Sequence, residues 1–544
     1  MCASDEFQFL PRAGDASEYY DRLDDLTIDR VEDCIQALNE FQSRLNALVA
    51  PEEDLERVLD IALLKGNLAG VLIELEETRS WRHNPLLYLK TAFIGLDHAL
   101  SKPASGQQEV AERTAARIDA IPRLLQQAID NLQVIPEMHH RATLFMLADC
   151  RKYLAELAKS VLNTPSEMNT QHLVPSTQHY RFSNRFSNSL DKVHTALTRF
   201  ERFLRASKPI PDRDFERRGI DATMREHFGS LRSLPEVFEI AVDEWQENLR
   251  ALQKLQSQID PSKTWRELYH SYSPTDMEKL DTIALYRLET ERLQTFFNGH
   301  GFKGADSAPF PEVRETPVYL KSVRSSASFA AAFSADPREK DFFYITTILP
   351  EPRSNEAVDL LRKRLHREYK FLSAHETFPG HHLLDFTRRN LKNRIRAQIE
   401  SPLFYEGWAY YVESLLTECG YVDHPLDRLV DRKRRLWRAA RCQIDVGLGN
   451  GLLSETGAMD LLTAAGFSRE EAGNQIDRFR LNPGYQLCYS LGRYEIIRLR
   501  EKYGNRLGRD RFHREILKGG ELPFHLIEKR LASLCAANEK SEEG

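Results

Sequence analysis

The apolar residues of this chain recur at helical spacing over most of its length, and this periodicity limits the folds open to it. Between positions 20 and 162 one amphipathic segment follows another, and the first has apolar residues at steps of mostly three or four: Leu26, Ile28, Val31, Ile35, Leu38, Phe41 and Leu45. Similar segments run over 53–80, 85–101, 107–132, 138–162, 189–206, 221–258 and 275–297. The polar stretch 163–188 predicts a long loop. No fixed-length repeat is apparent, so the sequence predicts a mostly α-helical protein and does not support a solenoid of a known type.

One region departs from the helical pattern. The segment 342–349 is aromatic and β-branched and is closed by Pro350, which predicts a strand. The segments 318–320 and 328–333 could pair with it, so we expect a small antiparallel sheet. Helical patterns then resume over 354–378, 381–397, 402–419, 425–446, 454–465, 468–479, 485–504, 509–518 and 523–535.

The stretch 299–317 is rich in glycine and proline and indicates a loop or a junction between two parts of the chain. We therefore expect an N-terminal helical region, 1–300, and a second region, 301–544, that contains the sheet and the motifs described below. Long helices from the first region would form one wall of a cleft.

Composition excludes several classes of partner. The 544 residues carry 75 basic and 81 acidic side chains, a net charge of −6, so no nucleic-acid partner is expected. No window approaches 18 apolar residues, and the N-terminus lacks a basic start followed by an apolar run, so neither a membrane span nor a secretory signal is expected. The seven scattered cysteines form no CxxC pair and favour free thiols. These features together predict a cytoplasmic protein. They do not determine its oligomeric state.

The most informative motif is His375-Glu376-Thr377-Phe378-Pro379-Gly380-His381-His382. Zinc hydrolases often hold the metal with two histidines of one helix and use the adjoining glutamate as a base, in the pattern H-E-x-x-H. Here the pattern is two residues longer, and the added residues are Pro-Gly. On a straight helix His381 would lie about 240° round from His375, whereas His382 would lie on the same face but roughly 10 Å along the axis.

Proline and glycine offer a way to close this gap. Proline removes a helical hydrogen bond and clashes with the preceding turn, and glycine permits unusual backbone angles. A break at Pro379-Gly380 would swing His381 back towards His375. We therefore favour His381 as the second ligand, with His382 as the alternative. Glu376 is suited to take a proton from the attacking water.

A third ligand is expected from a separate helix. Glu406 stands in Tyr405-Glu406-Gly407-Trp408-Ala409-Tyr410-Tyr411, and an antiparallel helix pair would bring it opposite His375. Glu413 lies seven residues later on the same face and could support a ligand. Taken alone, this segment is also compatible with an aromatic core helix that has solvated glutamates at its ends.

With these residues in view, the chain resembles the bacterial family known as domain of unknown function 885, which looks like a distant, mostly helical branch of the zinc metallopeptidases related to carboxypeptidases of the Taq type. The resemblance covers about 350–530 and rests on five motifs in order. After the histidine motif and Glu406-Gly407-Trp408 come Arg438, Arg441 and Asp445-Val446-Gly447, then Pro483-Gly484, Tyr489 and Gly492, and then Phe512-His513, Leu517 and Gly519.

The resemblance implies Zn²⁺ on His375, His381 and Glu406, with Glu376 as general base. It also makes Tyr489 a candidate hydrogen-bond donor to the developing oxyanion, although a buried core tyrosine is an equal alternative. Two family features are missing. A histidine that usually follows the D-x-G motif is replaced here by Leu448-Gly449-Asn450, and a common glutamine is replaced by Leu384.

Arginines offer a possible contact to substrate. The helix 425–446 is rich in them, and Arg438 or Arg441 could hold a substrate carboxylate, as could Arg493 near Tyr489. A solvated or salt-bridged helix face is the commoner cause of such a run.

The leading hypothesis is a zinc-dependent hydrolase of the metallopeptidase type, of carboxypeptidase or oligopeptidase character, that cleaves a peptide or another amide bond. Its partner would be a peptide or an amide-containing small molecule. One alternative is a divergent metal-binding member with a specialised, non-peptidase reaction, which the missing histidine motivates. The other is an inactive helical interaction protein.

Overall fold

The computed structural model describes residues 19–51, 53–162, 176–216, 219–274, 280–332, 336, 338–347 and 355–542. Helices account for most of them, which confirms the predicted fold class. Within these ranges no helix combines the length and apolar character that a membrane crossing requires.

The first part of the chain forms a layered group of helices around an apolar core. They are α1 (Ile28–Asn46), α2 (Leu55–Leu72), α3 (Ser80–His83), α4 (Pro85–Ser101), α5 (Gln107–Asn131), α6 (Glu137–Leu162) and α7 (Ser176–Ala206), with a π-helical segment at Ile73–Thr78. The loop expected over 163–188 is wrong from Ser176 onward, where α7 begins; 163–175 lies outside the described residues. From Phe186 to Leu204 the helix buries an apolar stripe, and α7 packs on α5.

Four helices follow this group along the chain, before the first strand of the sheet. They are α8 (Ile220–Ala222), α9 (Leu234–Ile259), α10 (Trp265–Ser271) and α11 (Thr282–Asn298), with a π-helical segment at Thr223–His227. The helix expected over 221–258 is therefore interrupted. The chain turns at Gly229, whose φ is +60°, and α9 then starts with a capping box in which Ser233 and Glu236 satisfy each other's backbone N–H groups.

The sheet is small and mixed, and the expectation of an antiparallel sheet is wrong. Its strands β1 (Glu312–Glu315), β2 (Ala327–Ala330) and β3 (Phe342–Ile345) lie in the order β1-β3-β2. β2 is antiparallel to β3, but β1 is parallel to it. The expected strand at 318–320 is instead a 3₁₀ turn, because Tyr319 and Leu320 are buried in the core of the N-terminal helices and take no part in strand pairing.

The rest of the chain is helical. Its elements are α12 (Asn355–Glu376), α13 (His381–Arg389), α14 (Arg394–Gln398), α15 (Pro402–Glu418), α16 (Pro425–Gly449), α17 (Glu455–Ala464), α18 (Arg469–Leu481), α19 (Leu487–Leu507), α20 (Arg509–Lys518) and α21 (Phe524–Glu542). The single helix expected over 381–397 is divided into α13 and α14.

Two glycines allow α15 and α19 to approach closely. A Cβ atom on Gly407 of α15 would lie 2.5 Å from the Cα atom of Gly492 on α19, and one on Gly492 would lie 2.2 Å from the carbonyl oxygen of Leu403. Only glycine at both positions lets these helices approach so closely. The contact brings the Glu406 turn of α15 next to the start of α19.

The largest apolar core crosses the expected division at residue 300. It contains Val237 of α9 together with Leu436 of α16 and Trp408 of α15. The two-part organisation, 1–300 and 301–544, stays a prediction.

Candidate metal centre

The histidine motif lies at a break between two helices. α12 ends at Glu376 and α13 begins at His381, and the Phe378–Pro379 peptide bond between them is cis. Gly380 lies so close to the end of α12 that a Cβ atom there would be 2.0 Å from the carbonyl oxygen of His375. The indole Nε1 of Trp408 donates to the carbonyl of Pro379 at 2.9 Å and ties the turn to α15. The predicted break at Pro-Gly is confirmed.

This break brings the expected ligands together. One ligand atom each from His375, His381 and Glu406 lies within 4.8 Å of the others, and all three side chains are buried. Oε2 of Glu406 is 3.3 Å from Nε2 of His375 and 3.5 Å from Nε2 of His381. The two imidazole rings are nearly perpendicular, with centroids 4.7 Å apart. Two imidazole nitrogens and one carboxylate oxygen therefore point at one small volume.

The two oxygens of the Glu406 carboxylate have different surroundings. Its Oε1 accepts a hydrogen bond from the hydroxyl of Tyr485, whereas its buried Oε2 faces the imidazole nitrogens of His375 and His381. Burial alone would raise the pKa of this carboxyl, but hydrogen bonds and charge from His375 and His381 hold it well below its usual range. A buried carboxylate oxygen that faces two imidazole nitrogens is the environment of a metal ligand, and the donor set fits a zinc ion.

The ligands are held from behind by other side chains. Nδ1 of His375 lies 2.9 Å from Oε1 of Glu413, the carboxylate support that a metal-bound imidazole usually has. Burial lowers the pKa of His375, but its hydrogen bonds to Glu406 and Glu413 and the charges of Glu413 and Glu376 outweigh this and raise it to about 9. The ring of Tyr405 stacks on that of His381, with centroids 3.8 Å apart.

Glu413 belongs to a buried chain of charges. Arg438 donates to its two oxygens at 2.5 and 3.1 Å, and Arg434 donates to both at 3.2 Å. Arg434 also contacts Oε2 of Glu368 at 2.5 Å. Burial raises the pKa of Glu413, but the charges of Arg434 and Arg438 together with His375 lower it far below its usual value. These paired charges thus fix the orientation of His375.

His382, the alternative ligand, points elsewhere. Its Nδ1 lies 3.2 Å from Oδ2 of Asp341, and its Nε2 lies 2.6 Å from the carbonyl oxygen of Pro309. Both ring nitrogens are therefore engaged at the edge of the sheet, away from Glu406.

Glu376 is placed between the ligands and the sheet. Its Oε2 accepts a hydrogen bond from the backbone N–H of Phe329 in β2 at 2.8 Å. Glu376 lines the same cavity as His375, His381 and Glu406. Within the described part of the chain, its other oxygen has no hydrogen-bond partner.

Tyr489 is brought to the site by the start of α19. Asp445 of α16 accepts hydrogen bonds from the N–H groups of Gly484, Gln486 and Leu487 at 2.9, 2.8 and 3.2 Å, and so anchors the Pro483-Gly484 turn. The ring of Tyr489 stacks on His375 with centroids 6.1 Å apart. Burial and the charge of Glu406 raise the pKa of Tyr489 well above its usual value, so its hydroxyl remains protonated at neutral pH.

The three arginines expected to contact substrate have different positions. Arg438 and Arg441 both line the cavity, although Arg438 is paired with Glu413. Arg441 donates to Oε1 of Gln486. Arg493 does not line the cavity; it lies 3.4 Å from Oε1 of Glu244 and contacts Ser414 on the far side of α15.

The cavity has a volume of about 340 Å³. Its wall combines the ligands and Glu376 with β2 and with α12, α16, α18 and the start of α19. Residues 448–450, where the family histidine is missing, do not line it.

Sequence reasoning missed three contributors. Tyr485 directly follows the Pro-Gly pair and Tyr405 directly precedes Glu406, so adjacency to recognised motif residues was a usable signal. Glu368 had no such signal, because nothing in the sequence indicates that it meets Arg434 across two helices.

Two solved structures share the fold. One, described as a putative lipoprotein from Colwellia psychrerythraea, has a TM-score of 0.76 and 15% identity, and the match covers 95% of this chain and 93% of that one. The other, described as a putative lipoprotein of unknown function from Shewanella oneidensis, has a TM-score of 0.71 and 19% identity, with 94% of each chain covered. At these identities the likeness shows the fold alone.

The expected cytoplasmic location is contradicted by these neighbours, both of which are described as putative lipoproteins. One part of that expectation was the presence of free thiols. Cys150, Cys442, Cys488 and Cys535 are buried, and burial raises the pKa of the Cys150, Cys442 and Cys488 thiols well above its usual value. Buried, protonated thiols are unreactive in any compartment, so they do not report on location.

The comparison with families is more specific. No curated protein matches this chain. The model of a family described as "Bacterial protein of unknown function (DUF885)" matches residues 10–531, nearly the whole length. The chain belongs to this DUF885 family.

Proposed function

We propose that this protein is a zinc-dependent hydrolase that cleaves a peptide or another amide bond. The observation that carries the proposal is the convergence of His375, His381 and Glu406 within 4.8 Å, with the buried Oε2 of Glu406 facing both imidazole nitrogens. Three protein ligands with an open side are typical of catalytic zinc, whereas structural zinc has four protein ligands.

Zinc held by these residues would supply Lewis-acid polarisation of a carbonyl group and a lowered pKa for the attacking water. Glu376 then has the position of a general base. Its carboxylate is oriented by the N–H of Phe329 and borders the cavity beside the ligands, so it can take a proton from that water and pass it to the leaving amine.

Tyr489 and Tyr485 have different roles in this scheme. The hydroxyl of Tyr485 is engaged with Glu406 and orients a ligand. Tyr489, which is protonated at neutral pH and lines the cavity, can donate a hydrogen bond to the oxygen on which negative charge develops. In the same scheme Glu413 accepts from Nδ1 of His375 and keeps the Nε2 of that ring directed at Glu406, the orientation in which His375 would hold a zinc ion.

The edge strand β2 fits an extended substrate. It lies at the end of the sheet order, and residues 325–329 line the cavity. An exposed strand edge can pair with the backbone of a peptide, which favours a peptide over a compact small molecule.

The test is a comparison of wild type with Glu376→Gln, both loaded with zinc. We expect about one zinc per chain in both proteins, and a loss of amide hydrolysis of about 10²- to 10⁴-fold in the variant. Glu418→Gln is a matched control, because Glu418 is paired with Arg500 outside the cavity, and it should retain full activity. A zinc-loaded wild type that hydrolyses no member of a peptide library would refute the proposal. Full activity in Glu376→Gln would show that Glu376 is not the general base.

The neighbours described as lipoproteins also suggest that this chain acts outside the cytoplasm. Fractionation of cells that express the natural gene, followed by immunodetection, tests this directly. Recovery in the cytoplasmic fraction alone would contradict it.

A further inference from the structure

Three arginines that line the cavity form no salt bridge within the described residues, although the charge of Arg364 also acts on Glu368, four residues later on α12. Arg364 of α12, Arg441 of α16 and Arg478 of α18 come from three different helices and line the same cavity as the metal ligands. Arg364 donates to the hydroxyl of Ser326 at 3.3 Å, and Arg441 donates to the amide oxygen of Gln486 at 2.9 Å. Within the described residues, Arg478 forms no hydrogen bond, and none of the three forms a salt bridge.

The neighbouring Arg434 and Arg438 show that not every arginine of the cavity lacks a salt bridge. Both are neutralised by Glu413, and Arg434 is also neutralised by Glu368. Arg434 and Arg438 are thus paired with carboxylates, whereas Arg364, Arg441 and Arg478 form no salt bridge within the described residues.

Arg478 is the clearest case. Its side chain is exposed to the open cavity. Partial desolvation by the cavity wall, and then the like charges of Arg441 and Arg364, lower its pKa to about 10. Bringing guanidinium groups together without a counter-ion is unfavourable, and a bound anion would remove that cost.

The arginines are close enough to the metal centre to hold part of a reacting substrate. The guanidinium carbon of Arg441 lies 4.2 Å from the ring centre of Tyr489, and that ring also stacks on His375 with centroids 6.1 Å apart. One aromatic ring therefore lies between Arg441 and His375. Guanidinium groups bind carboxylates through paired hydrogen bonds, so several of them suit a group with two carboxylates.

We propose that Arg364, Arg441 and Arg478 form an anion subsite that takes the two carboxylates of an acidic amino acid at the end of the substrate. The amide part of this inference rests on the proposed function, whereas the anion subsite does not. Hydrolysis would break the C–N bond, leave the hydroxyl of water on the acyl carbon, and transfer a proton to the amine of the released aspartate or glutamate.

The test measures binding and not turnover, so that it stays separate from the proposed hydrolysis. Glutarate, propionate and inorganic phosphate are titrated into the zinc-loaded wild type by calorimetry. The same titrations are made with Arg478→Gln and Arg441→Gln. Arg480→Gln is the matched control, because Arg480 is on the same helix but is already paired with Glu455 and Asp477.

We expect glutarate to bind more tightly than propionate or phosphate. Its dissociation constant should rise by about 10- to 100-fold in Arg478→Gln and Arg441→Gln and stay the same in Arg480→Gln. Arg478→Gln should also keep or raise the melting temperature, because the substitution removes a repelled charge; a purely structural arginine would lower it.

The anion-subsite proposal and the hydrolase proposal can fail independently of each other. If glutarate does not bind, or binds wild type and Arg478→Gln equally, the subsite is wrong even when neutral peptides are cleaved. Tighter binding of phosphate than of glutarate would also overturn the assignment of a dicarboxylate as the ligand of the subsite. If glutarate binds in the arginine-dependent way but no amide is cleaved, the subsite stands and the hydrolase proposal falls.

Discussion

The N-terminal helices and the candidate metal centre both bury arginines, but these arginines have different partners. In the N-terminal helices, Arg113 of α5 donates to the carbonyl oxygens of Ala99, Lys102 and Pro103, where α4 ends. Those carbonyls have no partner within their own helix, and a cation there also meets the negative end of the helix dipole. This arginine closes a helix end.

In the metal centre the partners are carboxylates. Arg434 and Arg438 hold Glu413, which holds His375. Here the arginines orient a side chain of the proposed ligand set. The comparison teaches that a buried arginine does not by itself indicate a functional site; the group that it meets distinguishes a structural cap from a ligand support.

Removal of the shared carboxylate should have the largest effect. Glu413→Gln leaves Arg434 and Arg438 buried with less negative charge, so we expect a loss of about 3–5 kcal/mol in the free energy of unfolding. Zinc affinity should fall by about 10- to 100-fold, because His375 loses its support. Urea unfolding and competition with a zinc chelator measure the two effects.

The control for this variant lies in the other region. Glu109 is 3.7 Å from Arg113 but is partly exposed, and Glu109→Gln should change neither quantity measurably. If Glu413→Gln left zinc affinity unchanged, the distinction between cap and ligand support would fail.

Buried acids of the two regions should respond to pH in opposite ways. Glu74, in the π-helical segment, is buried and forms no salt bridge within the described residues; burial outweighs its hydrogen bonds from Ser80 and raises its pKa from 4.5 to about 7. Its folded-state pKa is above its unfolded value, so its contribution is fully present below about pH 4.5 and is lost as the pH rises to about 7. Glu413, whose pKa is lowered, stays ionised throughout.

We therefore expect Glu74→Gln to gain roughly 2–3 kcal/mol relative to wild type between pH 5 and pH 8. Urea unfolding of both proteins at the two pH values measures the difference. An equal pH dependence in wild type and variant would mean that Glu74 is not the neutral, buried acid described here.

A matched pair of arginine variants, one from each region, should show the smallest changes. Arg113→Met should lower the free energy of unfolding by about 1–3 kcal/mol, because it leaves backbone carbonyls without a donor, and should not change zinc affinity. Arg438→Met leaves Glu413 paired with Arg434 and should weaken zinc binding by about ten-fold. Weakened zinc binding in Arg113→Met would contradict the assignment of a purely structural role to this residue.

Several features could be read from the sequence because they depend on local chemistry. The apolar periodicity predicted α4 and α5 within one residue of their observed bounds, and Pro379-Gly380 predicted the break that brings His381 to His375. The same local reasoning failed for the sheet. The apolar run 318–320 was expected to be a strand, but its side chains are buried among helices that precede it by more than a hundred residues.

The helical class and the break in the histidine motif follow from residue type and short-range spacing. The resemblance to the family added the candidate ligand set of His375, His381 and Glu406, which spacing alone left open between His381 and His382. Only the tertiary structure decided which charges meet. Arg434, Arg438 and Arg478 all belong to arginine-rich helices, yet two are neutralised by Glu413 and the third faces an open cavity. That outcome depends on helix packing set by the contact of Gly407 with Gly492 and by the rest of the core, because electrostatic interactions act between groups close in space, whatever their separation along the chain.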